Sequence, residues 1–325
     1  MDCPACGETG APGAQWCEAC GASLDGATGA VDGPQCVDCG APGSEIVEGY
    51  CAVCGRKQPG ERDHLSEDLG ELAAVTDRGL RHHQNEDAFA IGRSGDALIA
   101  VVCDGVSTTD NPQDVSQVAA VAARDHLVEA LGAGETDVAA ALAAAVDVAQ
   151  SAAATVPEVA GGQGPGSATF VATVLRPDHT TDRAVRSWTA WLGDSRAYWL
   201  HDGRATQLTV DDVWWREQVR AELLTEAEAK ADRRAQSITR WLGADALDTA
   251  PTIQEFEHDA GGTLLLCTDC LWKYTPSEDD LAAKIKELCA DTTPQAVELA
   301  EQLVSFALDS GGHDNTTVAI AHTPS

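Results

Sequence analysis

Eight of the twelve cysteines fall into four Cys-X-X-Cys pairs, each followed directly by glycine. The pairs are Cys3 with Cys6, Cys17 with Cys20, Cys36 with Cys39, and Cys51 with Cys54. This spacing is typical of zinc knuckles, in which a tight turn directs two thiolates at one ion and glycine adopts the backbone conformation that the turn needs. Two knuckles make one tetrahedral four-cysteine site, so the segment predicts two structural Zn²⁺ ions.

The order of the knuckles favours pairing the first with the second and the third with the fourth, which gives two zinc ribbons in tandem. The gaps within these pairs are 10 and 11 residues, long enough for a short hairpin, and a Gly/Ala-rich stretch at 21–34 separates the ribbons. A cross-braced pairing stays open. A disulfide framework is the alternative, which we disfavour because nothing in the sequence indicates an oxidising compartment. Four-cysteine sites have no open coordination position, so catalysis by these ions is not expected.

A second group of residues places carboxylates beside apolar runs. Asp104 ends ALIAVVCD, Asp269 ends TLLLCTD, Asp87 precedes AFAIG, and Asp314 precedes the closing run TTVAIA. A charge at the end of a buried strand is costly unless something compensates it. One such aspartate is usually a turn residue, but four of them are expected to converge on one edge of a sandwich. Hard divalent cations take oxygen ligands, so the pattern predicts a divalent-cation site.

Composition limits the classes of partner. The 325 residues are 44% hydrophobic, enough for a sizeable core, and 52 acids against 21 bases give a net charge of −31. This charge argues against nucleic-acid or anionic-membrane binding, and the first 60 residues are also acidic. No apolar run reaches the ~18 residues of a spanning helix. The first residues lack the features of a secretory signal, so we expect a cytoplasmic protein.

The aspartates need strands and helices to position them. Predicted strands cover 97–103, 167–175, 187–192, 196–200, 263–267 and 316–321, and predicted helices cover 114–131, 136–156, 279–290 and 294–308. Gly193 and Asp194, between two strands, indicate a hairpin. The pattern predicts two packed sheets flanked by helices. We divide the chain into a tandem ribbon at 1–58, a polar linker at 59–70 and a main domain at 71–325.

Seven motifs of the main domain follow one another in a familiar order. They are TDRGLRHHQNEDAF, VVCDGV, GSATFVATVL, WLGDSRAYWL, SITRWLG, LLLCTDCLW and GGHDNTTVAI. Over roughly 71–322 the chain resembles the metal-dependent type 2C protein Ser/Thr phosphatases, especially the bacterial ones. The resemblance implies an α+β fold, a four-layer α-β-β-α sandwich, here preceded by two small zinc ribbons.

The resemblance also implies a catalytic site with two Mn²⁺ or Mg²⁺ ions. Its metal-binding positions match Asp87, Asp104, Asp269, Asp314 and the backbone carbonyl of Gly105, with Asp104 bridging the ions. Glu86 matches a residue that holds metal-bound water, and Asn315 and Asp194 match supporting positions. A hydroxide held between the ions would hydrolyse phosphoserine and phosphothreonine in proteins by in-line attack, without a covalent intermediate.

The chain departs from the family where many members have an arginine that binds the substrate phosphate. His82 stands there, with Arg81 one residue earlier. His82 can bind phosphate when protonated or supply a proton to the leaving group. The alternatives are that His82 and His83 are surface-loop residues, or that Arg81 reorients to bind the phosphate.

The sequence leaves open the roles of three further positions or segments. Val106 stands where some relatives have histidine and cannot act as an acid. Cys270 replaces the usual glycine after the metal aspartate, and either weakens metal binding, makes the site redox-sensitive, or is a tolerated small residue. Within 211–243, a variable flap-like region, Trp214 and Trp215 either face a partner or pack inside.

Two functions from different classes follow. The first is a Mn²⁺/Mg²⁺-dependent phosphatase that acts on phosphoproteins, with the ribbons as a docking or regulatory module for a protein partner. The alternative is a weakly active or inactive phosphatase-fold protein that binds or regulates through its ribbons. The four metal aspartates favour the first, whereas His82 and Cys270 keep the second open.

Overall fold

The structure is a computed structural model, and it describes residues 35–47, 49–56, 58–178, 184–290 and 294–323. The chain divides into two compact units, one up to Gly60 and one from Glu61 onward. In the described ranges, no helix combines the length and the apolar character needed to cross a membrane.

The first unit, in its described part, is a small knuckle-and-hairpin structure. A turn of 3-10 helix at Gly43–Glu45 leads into strand β1 (Ile46–Val47), which pairs antiparallel with β2 (Tyr50–Cys51). Its buried apolar side chains are Cys36, Ala41 and Cys51. So small an apolar core cannot stabilise a fold without another source of energy.

The second unit contains thirteen strands and seven helices in its described ranges. The strands are β3 (His64–Asp68), β4 (Leu72–Asp77), β5 (Ala88–Ser94), β6 (Ala97–Cys103), β7 (Ser167–Ala168), β8 (Phe170–Pro177), β9 (Ala184–Leu192), β10 (Arg196–His201), β11 (Arg204–Gln207), β12 (Leu242–Gly243), β13 (Thr252–Asp259), β14 (Thr263–Cys267) and β15 (Thr316–His322). The helices are α1 (Pro112–Gly132), α2 (Val138–Ala153), α3 (Trp214–Arg220), α4 (Glu226–Ala231), α5 (Asp269–Tyr274), α6 (Glu278–Leu288) and α7 (Ala296–Asp309).

Two antiparallel sheets form the centre of this unit. One has six strands in the order β11-β10-β14-β15-β4-β3, and the other has five in the order β13-β9-β8-β6-β5. Helices α1 and α2 pack on the five-stranded sheet, and α6 and α7 pack on the six-stranded sheet. This arrangement confirms the predicted four-layer α-β-β-α sandwich.

The continuous apolar runs of the central strands explain why these strands are covered on both faces. In β6, Ile99 and Val101 pack toward α1 and α2, whereas Ala100 and Val102 pack between the sheets. Successive side chains of a strand point to opposite faces, so a strand covered on both faces must be apolar throughout. Each fully buried Ile or Val contributes about 1.5–3 kcal/mol relative to exposure. The continuous run at 97–103 therefore marks a central strand.

The predicted hairpin around Gly193 is wrong. Strand β9 pairs with β8 and β13 in the five-stranded sheet, whereas β10 pairs with β11 and β14 in the six-stranded sheet. The turn at Gly193, which has a positive φ of 97°, carries the chain from one sheet to the other. Asp194 consequently lies at a crossover between the sheets.

The segment predicted as a polar linker contains a strand. His64–Asp68 pairs with β4 at the edge of the six-stranded sheet, and all five of its residues are exposed. Backbone hydrogen bonds to β4 hold this strand in place. Because none of its side chains is buried, its sequence lacks the alternation of apolar and polar residues that would predict a strand.

Candidate metal centre

The four cysteines of the second predicted ribbon form one cluster. One sulfur from each of Cys36, Cys39, Cys51 and Cys54 lies within 4.8 Å of the others. The Sγ atoms of Cys36 and Cys54 are 3.6 Å apart, as are those of Cys39 and Cys51. A tetrahedron with Zn–S bonds of about 2.3 Å has edges of about 3.8 Å, so the donor set fits a zinc ion.

The turns of this cluster have knuckle geometry. Gly40 and Gly55 have positive φ angles of 71° and 74°, as expected for the glycine after each pair. The backbone N–H of Cys39 is the main cause that lowers the pKa of the Cys36 thiol to about 6, which favours the thiolate that a metal binds. Gln58 supports the same sulfur, since its Nε2 donates to Cys36 Sγ at 3.3 Å.

The cluster joins the third predicted knuckle to the fourth, as the tandem pairing requires. All described cysteines are free thiols, with no disulfide among them. The other predicted ribbon, with Cys3, Cys6, Cys17 and Cys20, lies outside the described residues.

The strands of the second unit bring the four predicted aspartates to one end of the sandwich. Asp87 precedes β5 and Asp104 follows β6, and the register pairs Ala88 with Cys103. Asp269 follows β14 and Asp314 precedes β15, and that register pairs Cys267 with Val318. Each sheet therefore contributes two carboxylates.

Asp87 is held by hydroxyl groups from the opposite sheet. Its Oδ2 accepts hydrogen bonds from Thr268 Oγ1 at 2.9 Å and from Thr317 Oγ1 at 2.8 Å. Thr317 Oγ1 also lies 2.6 Å from Thr76 Oγ1, which accepts from Asn85 Nδ2 at 2.9 Å. This buried network fixes the Asp87 carboxylate, and sequence reasoning missed it because threonine is common in strands.

Burial dominates the electrostatics of these groups. It raises the pKa of Asp87 and Asp104 well above the ordinary value, and the negative charges of neighbouring aspartates raise both further. Burial likewise raises the pKa of Asp269, and it raises the pKa of Asp194 to about 7. A bound divalent cation would reverse these shifts, because it favours the charged carboxylates.

These shifts predict that, without added Mn²⁺ or Mg²⁺, the second unit loses stability as the pH rises from about 4 to 7. The unfolded aspartates titrate near 3.9, whereas in the fold burial holds the pKa of Asp194 at about 7. Below pH 4 both states are protonated and no penalty arises. Above pH 4 the aspartates of the unfolded state release their protons first. The loss of folding stability therefore grows until the pH passes the pKa in the folded state.

Thermal melts between pH 4 and 8 measure this effect. Asp194→Asn, which cannot ionise, should show a shallower decline than the unchanged protein. A melting temperature that rises over this range in the unchanged protein would contradict the predicted sign.

The donor set of the aspartates fits divalent cations. Asp269 Oδ1 is buried and has no hydrogen-bond partner, and such an orphaned acceptor is normally satisfied by an ion or water. In the described chain, no three of these carboxylates bring their oxygens within 4.8 Å of one another. The ligands of one Mn²⁺ or Mg²⁺ lie within about 4.4 Å of each other, given bonds of about 2.1–2.2 Å. The aspartates are therefore spread more widely than the ligands of a single ion.

Gly105 and Asn315 shape the loops around the aspartates. A Cβ atom on Gly105 would lie 2.6 Å from the Glu86 carbonyl oxygen and 2.7 Å from that of Pro112, so a side chain does not fit. Asn315 Oδ1 accepts the Glu86 N–H at 2.8 Å, and its Nδ2 donates to the Arg78 carbonyl at 2.6 Å. The Glu86 carboxylate accepts a hydrogen bond from the Ser107 hydroxyl.

The structure brings His82 into the site but not Arg81. His82 is half-buried, with Nε2 at 3.1 Å from Asp314 Oδ1 and Nδ1 at 4.0 Å from Glu86 Oε2. Arg81 is exposed and makes no hydrogen bond or ion pair with any described residue. The surface-loop interpretation of His82 is therefore disfavoured, whereas Arg81 would have to move to reach a substrate.

Lys273 is a residue of the site that sequence reasoning missed. Its ammonium contacts Asp269 and lies 3.7 Å from Asp314 Oδ2. Helix α5 explains the first contact, because side chains four residues apart share one helical face. The signal in the sequence is this spacing, but it indicates a contact only if TDCLWKY is helical, and the sequence pattern alone does not predict a helix there.

Asp194 is tied to the site through its backbone. The indole Nε1 of Trp272 donates to the Asp194 carbonyl at 3.0 Å, and the Arg196 guanidinium lies 3.8 Å above the Trp272 ring. Arg196 also forms a two-pronged ion pair with Asp211, at 2.9 and 2.7 Å. These contacts connect α5, the crossover turn and the start of the flap-like region.

The remaining uncertain positions also have defined surroundings. Cys270 is buried, and burial raises the pKa of its thiol, which disfavours a redox-sensitive thiolate. Trp214 and Trp215 are half-buried beneath cations of their own region: Arg234 lies 4.2 Å from the Trp214 ring, and Lys230 lies 4.5 Å from the Trp215 ring.

Known proteins share this sequence and fold. A family model described as protein phosphatase 2C matches residues 79–306. The serine/threonine protein phosphatase PstP of Mycobacterium tuberculosis (strain CDC 1551 / Oshkosh) is 32% identical over 249 residues, which make up 77% of this chain. These residues cover 44% of PstP, so the chain spans less than half the length of that relative.

Solved phosphatase structures superpose on this chain. The crystal structure of M. tuberculosis PstP/Ppp has a TM-score of 0.61 and 31% identity, covering 78% of this chain and 98% of that chain. The PstP catalytic domain in complex with two manganese ions has a TM-score of 0.58 and 28% identity, covering 81% of this chain and all of that chain. With a family match over more than half of its residues and the same four-layer sandwich, the chain belongs to the protein phosphatase 2C family.

Proposed function

We propose that this protein hydrolyses phosphoserine and phosphothreonine in proteins with the help of two Mn²⁺ or Mg²⁺ ions. Asp87, Asp104, Asp269 and Asp314 would hold the ions, with Asp104 shared between them and the Gly105 carbonyl as a further ligand. One observation carries the proposal: four carboxylates meet at one end of a buried sandwich, and burial raises the pKa of three of them. The two manganese ions of the related PstP structure support the choice of metal.

When bound, the ions would activate a water molecule and neutralise charge on the phosphate. The chain's own residues have separate tasks. Thr268 and Thr317 keep Asp87 oriented, which preserves the ligand geometry. His82, beside Asp314 and near Glu86, is placed to hold a substrate phosphate oxygen or to give a proton to the leaving serine or threonine oxygen. Glu86, anchored by Asn315 and Ser107, would orient water.

Metal removal tests this proposal directly. We expect the zinc-loaded full chain to hydrolyse a phosphothreonine peptide only with added Mn²⁺ or Mg²⁺. Without them, turnover should fall by about a hundredfold or more, because the uncatalysed reaction is extremely slow and the carboxylates alone cannot activate water. Initial rates across a Mn²⁺ titration provide the measurement, with added Zn²⁺ alone as the control. Turnover that is equally fast without Mn²⁺ or Mg²⁺ would contradict the proposal.

The alternative is a weakly active or inactive protein that binds or regulates. No turnover by folded protein that does bind Mn²⁺ would favour it. The placement of His82 against Asp314 gives no reason to expect lost activity, since the histidine keeps a donor at the site.

The described four-cysteine cluster would bind one structural Zn²⁺ ion and the first two Cys-X-X-Cys pairs a second, and the ribbon module would dock a protein partner. Its second ribbon exposes four large apolar side chains, with fractional exposures of 48–68%: Val37, Val47, Tyr50 and Val53. Exposed apolar groups on so small a module favour an apolar partner surface over nucleic acid. The thiols must stay reduced to bind zinc, which favours a reducing compartment such as the cytoplasm.

A further inference from the structure

Lys273 lies where a cation is needed between two proposed metal ligands. Its ammonium contacts Asp269 Oδ2 and lies 3.7 Å from Asp314 Oδ2. His82 reaches only the other oxygen of Asp314, at 3.1 Å, whereas Lys273 approaches both carboxylates. Lys273 therefore supplies the main positive charge on this side of the site.

The backbone of Lys273 is anchored, whereas its side chain reaches solvent. Its neighbours Leu271 and Trp272 are buried, so the backbone of α5 is fixed. Its side chain is 49% exposed and has a four-carbon stem, so the ammonium can leave the carboxylates for solvent while remaining nearby.

An ammonium and a divalent cation that bind the same carboxylate oxygen weaken each other's interaction with it. The ammonium occupies Asp269 Oδ2, and a metal held by Asp269 and Asp314 would repel a positive charge at this distance. Binding of the metal must therefore either displace Lys273 or overcome the repulsion from its charge. Both effects cost free energy and lower the affinity for the metal.

We propose that Lys273 is a tethered cation that competes with the metal ion for the Asp269–Asp314 pair. It neutralises these carboxylates when the metal is absent, and it sets the metal concentration at which this half of the site fills. The inference rests on the proposed function, because it assigns these two aspartates to a metal.

Calorimetric titration of Mn²⁺ into the zinc-loaded full chain tests the competition. Lys273→Met keeps a long apolar stem but removes the charge, and it should lower the dissociation constant of one Mn²⁺ ion about tenfold. Lys273→Arg keeps the charge and should change it less than threefold. Lys284→Met is the matched control, because Lys284 pairs with Glu287 and lies over Phe306 on the surface of α6 and α7.

A melting experiment separates competition from structural damage. Without added Mn²⁺ or Mg²⁺, Lys273→Met should melt at a lower temperature than the unchanged protein, because its aspartates lose their counterion. Saturating Mn²⁺ should then raise its melting temperature by more than it raises that of the unchanged protein.

The outcomes are distinguishable. Unchanged or weaker Mn²⁺ binding in Lys273→Met, with clear binding in the unchanged protein, would overturn the competition alone. Absence of Mn²⁺ binding in both proteins would overturn the proposed function together with this inference. Binding that appears only in Lys273→Met would be the strongest support for it.

Discussion

Replacing Asp104 by alanine is expected to reduce turnover of a phosphothreonine peptide by about a thousandfold or more at saturating Mn²⁺. Asp104 is half-buried among the other site aspartates, and the charges of Asp87, Asp269 and Asp314 all act on it. Its removal deprives both proposed ions of a shared ligand. Initial rates with the peptide and with p-nitrophenyl phosphate give the measurement.

The fold should survive this change. Asp104→Ala removes a carboxylate that its charged neighbours repel, so the variant without added Mn²⁺ or Mg²⁺ should be at least as stable as the unchanged protein. Asp279→Ala, an exposed aspartate in the first turn of α6, is the matched control and should keep full activity. A folded Asp104→Ala protein with more than a tenth of the activity would refute the assignment.

Replacing Cys51 by serine is expected to release one of the two proposed zinc ions and to unfold the second ribbon. Cys51 is buried, and its sulfur lies 3.6 Å from that of Cys39. The described ribbon buries only three apolar residues, so metal binding must stabilise its fold. The binding free energy of a structural zinc is about 10–16 kcal/mol. Zinc content by mass spectrometry and the near-ultraviolet signal of Tyr50 measure the loss.

The same variant tests whether the ribbon takes part in catalysis. All the proposed catalytic residues lie in the unit that begins at Glu61, so turnover of p-nitrophenyl phosphate should change less than twofold. Cys289→Ser, outside the ribbon and half-buried, should retain both zinc ions. Zinc content that stays at two in Cys51→Ser would show that Cys51 is not a ligand.

Strand pairing shows where sequence reasoning succeeds and where it fails. The run at 97–103 predicts a buried strand, because apolar residues on both faces leave no other stable position, and the structure has β6 there. The turn at Gly193 has the same local pattern whether the chain folds back or changes sheets. Only the pairing of β10 with the distant strand β14 decides between these outcomes, and no local rule predicts that pairing.

The site shows a similar division. Strand ends identified the aspartates, because a charge after a buried run calls for compensation. The threonines that hold Asp87 come from the other sheet, so their role depends on how the sheets pack. Lys273 depends on one short helix, α5, which burial of Leu271 and Trp272 stabilises more than helical propensity does.

The division of the proposed ligands between the two sheets has a mechanical consequence. Asp87 and Asp104 lie next to strands of the five-stranded sheet, whereas Asp269 and Asp314 lie near the ends of strands of the six-stranded sheet. Ions bound by all four would act as a removable cross-link at one end of the sandwich. Metal binding would then stabilise the packing of the two sheets, and tighter packing of the sheets would in turn strengthen metal binding. A substitution deep between the sheets, far from any ligand, would alter metal binding by changing how easily the two halves separate.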